Sequence, residues 1–182
     1  MKKLSILFSI LIITLSVNAQ IIYMTKTGKI RFFSEAPLEN IEAVSEKTTS
    51  IINVSTKDIA CKAAIKSFVF EKPLMQEHFN EKYMESEKFP YAEFKGTIEG
   101  NADFSKDGSY EVTAKGNLTV HGVTKPMEIK GTLKVESGKI SIHAVFNVKV
   151  ADHEIEVPSI VVDNIAETIE VTIDAVHELY KK

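Results

Sequence analysis

The chain is 182 residues long, 44% hydrophobic and 26% charged, with a formal net charge of −3. That balance suits one globular domain with a buried core and excludes a disordered chain, a collagen-like fibre and a basic nucleic-acid binder. A single Cys excludes an internal disulfide and a zinc site built from four thiolates.

Residues 1–19 open on Met1-Lys2-Lys3, continue as an apolar run and end Val17-Asn18-Ala19. A cationic start, a short apolar core and small residues at the end describe a cleavable secretory signal, with cleavage expected before Gln20. The run is short for a membrane anchor, which needs about 20 apolar residues. Residues 20–182 are then a single domain, periplasmic or secreted. Cys61 has no internal partner in that oxidising compartment and reads as a small buried hydrophobe.

Strands are expected at 21–24, 29–34, 41–45, 50–55 and 59–70, the last changing phase near Ser67, where a bulge or twist should lie. Apolar residues at 74, 75, 79 and 83 predict a helix over 73–83. Pro73 fits its first turn, and Phe89-Pro90 ends the excursion. From residue 91 the period becomes two. Segments 92–99, 110–121, 127–135 and 169–175 alternate apolar with polar, and 140–144 begins the same way. This is the pattern of antiparallel strands with one face buried. Asp107-Gly108 and Ser137-Gly138 supply hairpin turns, and 122–126 is a further reversal with Pro126 at a strand start. Segment 155–162 reads as extended around Pro158 with a helical turn after it.

Some nine strands, hairpin connections and one short helix define an all-β antiparallel fold, a barrel or a sandwich. The long strands favour a closed barrel of about eight strands. Polar faces dense in Lys, Glu and Thr, with no Trp in the chain, set aside an outer-membrane barrel. The inner face mixes large residues with Ala92, Gly96, Gly100, Ala114, Gly116, Gly131, Ala144 and Ala175. Two readings stay open: a hollow holding an apolar ligand, or close packing at barrel corners and against the helix.

The five His fall in no metal-ligand spacing, and neither a nucleophile elbow nor a phosphate-cradling glycine loop is present. No catalytic residue, metal or cofactor is expected. His121 is expected to make a turn-stabilising hydrogen bond. Glu77, Glu81, Glu85 and Glu87 read as solvated surface.

Three stretches carry a resemblance. They are Ser67-Phe68-Val69-Phe70, the run from Leu74-Met75-Gln76-Glu77-His78-Phe79 to Phe94-Lys95-Gly96, and Gly116-Asn117-Leu118-Thr119-Val120-His121-Gly122-Val123-Thr124-Lys125-Pro126. On these the chain resembles the YceI-like family, over nearly the whole of the mature sequence. The resemblance implies an exported, lipocalin-like barrel with an elongated apolar tunnel, and association with polyisoprenoid or related lipids. Tunnel-lining residues would be Phe94, Gly96, Ile98, Val112, Ala114, Leu118, Ile129, Leu133, Ile142, Ala144, Ile169, Val171 and Ile173. The helix would lie at the mouth, with Leu74, Met75, His78, Phe79 and Tyr83 meeting the ligand's head group. Residues 156–161 stand where the family has a more regular strand pair, at what should be the tunnel's far end. Arg31 could pair with a pyrophosphate or carboxylate, but an outward charge between inward apolar neighbours is the favoured reading.

The expected function is sequestration of a long-chain isoprenoid or other lipid, with no nucleic-acid partner and no integral membrane segment; a homodimer is left open. The competing expectations are an enzyme acting on an amphiphile through His78 and a mouth carboxylate, and a stress or surface protein whose barrel is only a core.

Overall fold

The computed structural model describes residues 20–181; the segment read as a secretory signal lies outside them. The strands in chain order are β1 (Ile22–Ser34), β2 (Ile41–Asn53), β3 (Asp58–Ala64), β4 (Val69–Phe70), β5 (Tyr91–Glu99), β6 (Gly108–Val120), β7 (Val123–Glu136), β8 (Lys139–Lys149) and β9 (Thr168–Leu179). They pair in the order β1-β9-β8-β7-β6-β5-β3-β2, and β2 pairs back onto β1, so eight strands close an antiparallel barrel. The two-residue β4 is a stub on β2, opposite Ala43 and Val44. Between β4 and β5 stand α1 (Pro73–His78) and a π-helical turn over Phe79–Tyr83, the helical excursion expected at 73–83.

Antiparallel order sorts the connections onto two ends. Segments 35–40, 65–90, 121–122 and 150–167 gather at one end, the mouth. Segments 54–57, 100–107 and 137–138 gather at the other, the floor, with the start of β1 and the end of β9.

The β6–β7 hairpin turns on His121 (φ 49°) and Gly122 (φ 76°), and β7–β8 on Ser137 (φ 52°) and Gly138 (φ 73°). Two successive positive φ angles make the mirror-image turn whose twist matches the flanking strands. The first reversal therefore begins earlier than expected, and Pro126 falls inside β7, opposite Asn117. The β7–β8 ladder covers only Gly131–Glu136 of β7, so Pro126 sits where β8 asks for no donor.

β1 and β2 are each continuous where alternation suggested two short strands. In β2, Ser45 and Thr48 are both buried with exposed Glu46 and Lys47 between them; in β1, Thr25 and Gly28 flank Lys26 and Thr27 in the same way. Each is a bulge, and the β1–β2 register shifts on either side of Gly28. Hydroxyls hold them: Thr25 Oγ1 accepts from the Thr27 N–H and Ser45 Oγ from the Lys47 N–H, both at 3.3 Å. The phase change near Ser67 is a single 3-10 turn over Ile65–Ser67. The Ser67 hydroxyl donates to the Ala64 carbonyl at 2.6 Å.

Ile52, Leu133 and Ile140 are fully buried towards the floor and pack with Ala102 of the 100–107 segment. The neighbouring wall is polar inside. His177, with no exposed surface, donates from Nδ1 to the Ile140 carbonyl at 3.0 Å. A carbonyl only accepts, so this contact puts the proton of the neutral ring on Nδ1. His177 Nε2 then accepts from the Ser50 hydroxyl at 2.8 Å, and Ser50 Oγ accepts from the Cys61 thiol at 3.1 Å. Burial pushes the His177 pKa down and the Cys61 thiol up, so both groups stay neutral.

A buried neutral imidazole makes folding acid-sensitive. The unfolded chain takes up this proton below about pH 6.5, the folded chain only at lower pH. Its contribution is intact above that value and is lost as pH falls towards the folded pKa, by at most about 1.4 kcal/mol per pH unit. Urea denaturation between about pH 7.5 and about pH 5.5 should show a steeper loss for the wild type than for His177→Gln; parallel losses would refute the neutral buried state.

Gly96 and Gly116 face each other in the β5–β6 ladder. A Cβ on Gly96 would lie 2.9 Å from Gly116 Cα, and one on Gly116 would lie 2.5 Å from Gly96 Cα. The strands approach too closely for any side chain here. Gly96→Ala is expected to cost about 1–3 kcal/mol, seen as a lower urea midpoint. An unchanged midpoint would show that the strands can part at no cost.

Candidate functional site

Above the floor the bore is not filled. A cavity of about 480 Å³ extends from Ile98, Val112 and Leu133 up to the mouth. Phe94, Ile98, Val112, Ala114, Leu118, Ile129, Leu133, Ile142, Ala144, Ile169, Val171 and Ile173 all line it, each on the inward phase of its strand. Val112, Ala114, Ile142 and Ala144 are only half-buried although they point inward, because what they face is the hollow.

Gly96 is the correction. It does not line the cavity, because its missing side chain serves the contact with Gly116. The small inner residues therefore divide between the two readings: Ala92, Ala114 and Ala144 border the hollow, Gly96 and Gly116 let two strands touch, and Gly131 does both, since a Cβ there would lie 2.6 Å from the His143 carbonyl oxygen.

The helical excursion lies across the mouth and is anchored by one ring. Phe79 stacks on Phe32 (centroids 5.4 Å apart) and meets Phe70 at 4.9 Å and Phe68 at 5.9 Å. Met75, His78, Phe79, Tyr83 and Met84 border the cavity from above. The wider π turn, closed by the Met84 N–H donating to the Phe79 carbonyl at 2.9 Å, lets Phe79, Tyr83 and Met84 all border the hollow. Leu74, expected on the same lip, is 60% exposed and lies outside the lining. One position before Met75, it sits on the solvent side of the short helix.

Sequence reasoning missed the other half of the wall. Ile30, Phe32 and Ile41 on β1 and β2, and Phe68 and Phe70 around β4, border the cavity near the mouth. Segment 150–167 belongs to the mouth as well, not to the far end. Its residues Ile155, Val157, Val161 and Ile165 roof the hollow around the 3-10 turn of Ser159–Asn164. Two bonds tie this roof down: the Leu38 N–H to the Asp163 carbonyl at 3.1 Å, and the Ala166 N–H to Ser34 Oγ at 2.8 Å. Alternation marks Ile30 and Phe32 in β1, but nothing periodic marks the roof.

Five polar residues border the cavity near the rim, Ser34, Glu39, His78, Tyr83 and Asn164, and Cys61, Glu93, Thr132 and His143 border it along the strands. Arg31 is on the outside, bound to Glu42 at 2.7 Å and near Glu170 at 3.7 Å. His121 does stabilise its turn and does more. Its Nε2 meets Glu85 Oε2 at 2.9 Å, its Nδ1 faces the His153 carbonyl at 3.3 Å, and Phe89 packs edge-on at 4.6 Å. Glu85, expected to be solvated surface, is thus a structural partner that joins the end of the lid to the β6–β7 turn.

The YceI-like domain family matches residues 16–177. A search of curated proteins gives no match. Among solved structures, the chain is similar to a polyisoprenoid binding domain from Saccharophagus degradans implicated in plant cell wall breakdown. The identity is 12% and the TM-score 0.74, over 89% of this chain and 100% of that one. It is also similar to Burkholderia cenocepacia BcnA, with 15% identity, a TM-score of 0.67, and 82% and 95% of the two chains covered. A third likeness is to the Campylobacter jejuni YCEI protein, with 14% identity, a TM-score of 0.57 and full coverage of both. At such identities the structural likeness concerns the fold. The family match spans most of the chain, and the chain belongs to the YceI-like family.

Proposed function

We propose that this protein is an exported, non-catalytic carrier that holds a long-chain apolar ligand, a polyisoprenoid or similar lipid, inside the barrel. The observation that carries the reading is the cavity of about 480 Å³ with a wall almost wholly of carbon, opening beneath a lid. At about 24 cal/mol per Å³, the figure from core truncations, an empty hollow of that size corresponds to on the order of 10 kcal/mol. That rivals the entire stability of a typical domain. Water is a poor filling, since it needs several polar partners and this wall offers few. An apolar chain fills the space and gains about 25 cal/mol for each Å² it buries. The barrel is deep rather than wide: from Val120 to Val112 the wall descends eight residues of β6, roughly 20 Å once strand tilt is allowed for. A slender lipid suits that shape better than a compact metabolite. The resemblance to a polyisoprenoid binding domain supports the same choice, and the open bore counts against a barrel that is only a core.

Organic extraction of the purified protein, followed by mass spectrometry, should yield a lipid in stoichiometric amount. Ala114→Phe places a ring in the lower part of the hollow and should cut uptake of a fluorescent apolar probe at least about tenfold while the protein still melts cooperatively. Empty extracts together with no probe uptake would refute the carrier reading. Export makes a separate prediction: protein recovered outside the cytoplasm should begin at Gln20, and an intact Met1 there would contradict cleavage.

A further inference from the structure

One seam of the barrel is laddered over only part of its height. The β7–β8 ladder rises from Glu136 and Lys139 at the floor to Gly131 and Ala144, and stops there. Both strands run on towards the mouth, β7 as Val123–Lys130 and β8 as Val145–Lys149, each still paired on its other side. Among the described residues no ladder pair joins these two stretches. The open part of β8 is five residues long, roughly 16 Å of seam. The β2–β3 ladder also stops short, but there β4 takes up the pairing with β2. Both sides of the open seam belong to the cavity wall: Ile129 and Gly131 on β7, Ala144, Phe146 and Val148 on β8. At its lower end the strands are drawn tightly together, since a Cβ on Gly131 would lie 2.9 Å from the Ala144 Cβ. On the outer face beside it Val145 is 47% exposed, an apolar lip.

The covered end offers no such line. Lifting the lid withdraws Phe79 from Phe32, Phe68 and Phe70 and breaks the pairs of Lys72 with Glu39, Lys66 with Glu87 and His121 with Glu85. Lifting the roof breaks the bonds of Asp163 to Leu38 and of Ala166 to Ser34. Parting upper β7 from upper β8 breaks no ladder bond. It meets directional contacts only at its top, where His153 bonds to Val123 and to His121.

We propose that the lipid enters and leaves the bore sideways, through a transient parting of the upper halves of β7 and β8, while the lid and roof stay in place. The inference rests on the carrier reading. Backbone groups along the two edges already lie outside any ladder, so the parting leaves no further donor or acceptor unpaired. The laddered half below, with Gly131 against Ala144, is the hinge line, and the contacts of His153 close the upper end. Local openings follow the elements that give up the fewest bonds. A slit that runs along the bore also suits a slender chain. Such a chain turns in side-on and buries its length at once, whereas end-on entry files every segment past the lid.

Two pairs of cysteines test the route. Glu128→Cys with Asn147→Cys sets exposed thiols on the two edges of the seam, in the register of the last rung. Lys66→Cys with Glu87→Cys replaces an exposed ion pair that fastens the lid. Cys61 is buried and stays unlabelled. A short bismaleimide bridges each pair, and the same variants capped with N-ethylmaleimide carry similar bulk without the bridge. Retinol, a neutral isoprenoid alcohol whose fluorescence rises in apolar surroundings, reports uptake, and its transfer to excess phosphatidylcholine vesicles reports release. The seam bridge should slow uptake at least about tenfold. Applied after loading, it should slow release equally, with the amount of retinol bound at equilibrium unchanged. The lid bridge should leave both rates within about twofold of its capped form. Thermal melting of the capped variants controls for folding. A bridged seam that exchanges retinol as fast as its capped form overturns the proposal, and so does a lid bridge that slows exchange as strongly as the seam bridge. Failure of the wild type to take up retinol at all is a different result: it removes the carrier reading, and this inference with it.

Discussion

An eight-stranded sheet closed on itself encloses a bore that its own side chains can just fill, and the structure turns on where they do so. Towards the floor they do: Ile52, Leu133 and Ile140 have no exposed surface. Higher up, Ala92, Ala114, Gly131 and Ala144 occupy inward positions, and the facing side chains do not reach across. The bore is therefore a blind pocket with one mouth rather than an open pipe. Because a lone apolar hollow in water is costly, the same constraint demands a cover. The lid over 73–84 and the roof of 150–167 supply one.

The cover is fastened differently on its two sides. Inward, Phe79 inserts among Phe32, Phe68 and Phe70, an aromatic contact that needs no hydrogen bonds. Outward, directional contacts hold it. Lys72 binds Glu39, Lys66 binds Glu87, and Glu85 binds His121. His153 adds a bond from Nδ1 to the Val123 carbonyl at 3.0 Å, and so joins the roof to the β6–β7 turn. The motif around residues 116–126 is thus mostly architecture of the mouth. Gly116 permits a strand contact, Leu118 faces the bore, Thr119 and Thr124 share a hydroxyl contact at 2.8 Å, and His121-Gly122 forms the turn that meets the lid.

How much of this was legible depended on whether burial and polarity went together. In β5 to β9 they do, so alternation alone located the strands and nearly all of their cavity-facing residues. In β1 and β2 the buried positions include Thr25, Ser45, Thr48 and Ser50, whose hydroxyls look like surface to a pattern search. Alternation consequently breaks these long strands into fragments. For Gly96 the alternation gives the face but not the task, since no pattern separates a glycine that opens a space from one that removes a clash. Leu74 shows the opposite limit: in a helix of six residues the apolar stripe is too brief to fix its own orientation. The roof at 155–165 and the partnership of Glu85 with His121 depend on contacts far apart in sequence, and no local signal records them.

The polar interior of β1, β2 and β9 then has a physical place in the design. A barrel that leaves its bore open gives up much of the interdigitated packing that ordinarily fixes one register and one shape. What remains to hold the form lies in the wall itself, above all where β2 returns to β1 and closes the ring. There a directional relay from Cys61 through Ser50 and His177 to the Ile140 carbonyl links β3, β2, β9 and β8, with every donor in it used. Such bonds add little net stability but are costly to leave unmade, so they penalise any slip of register more sharply than apolar contacts do. The bulges act in the same sense, for a shift by one residue would turn Thr48 and Ser50 outward and Lys47 inward. On this view the closing seam is polar because the cavity is not packed: rigidity missing from the bore is supplied by hydrogen bonds in the wall.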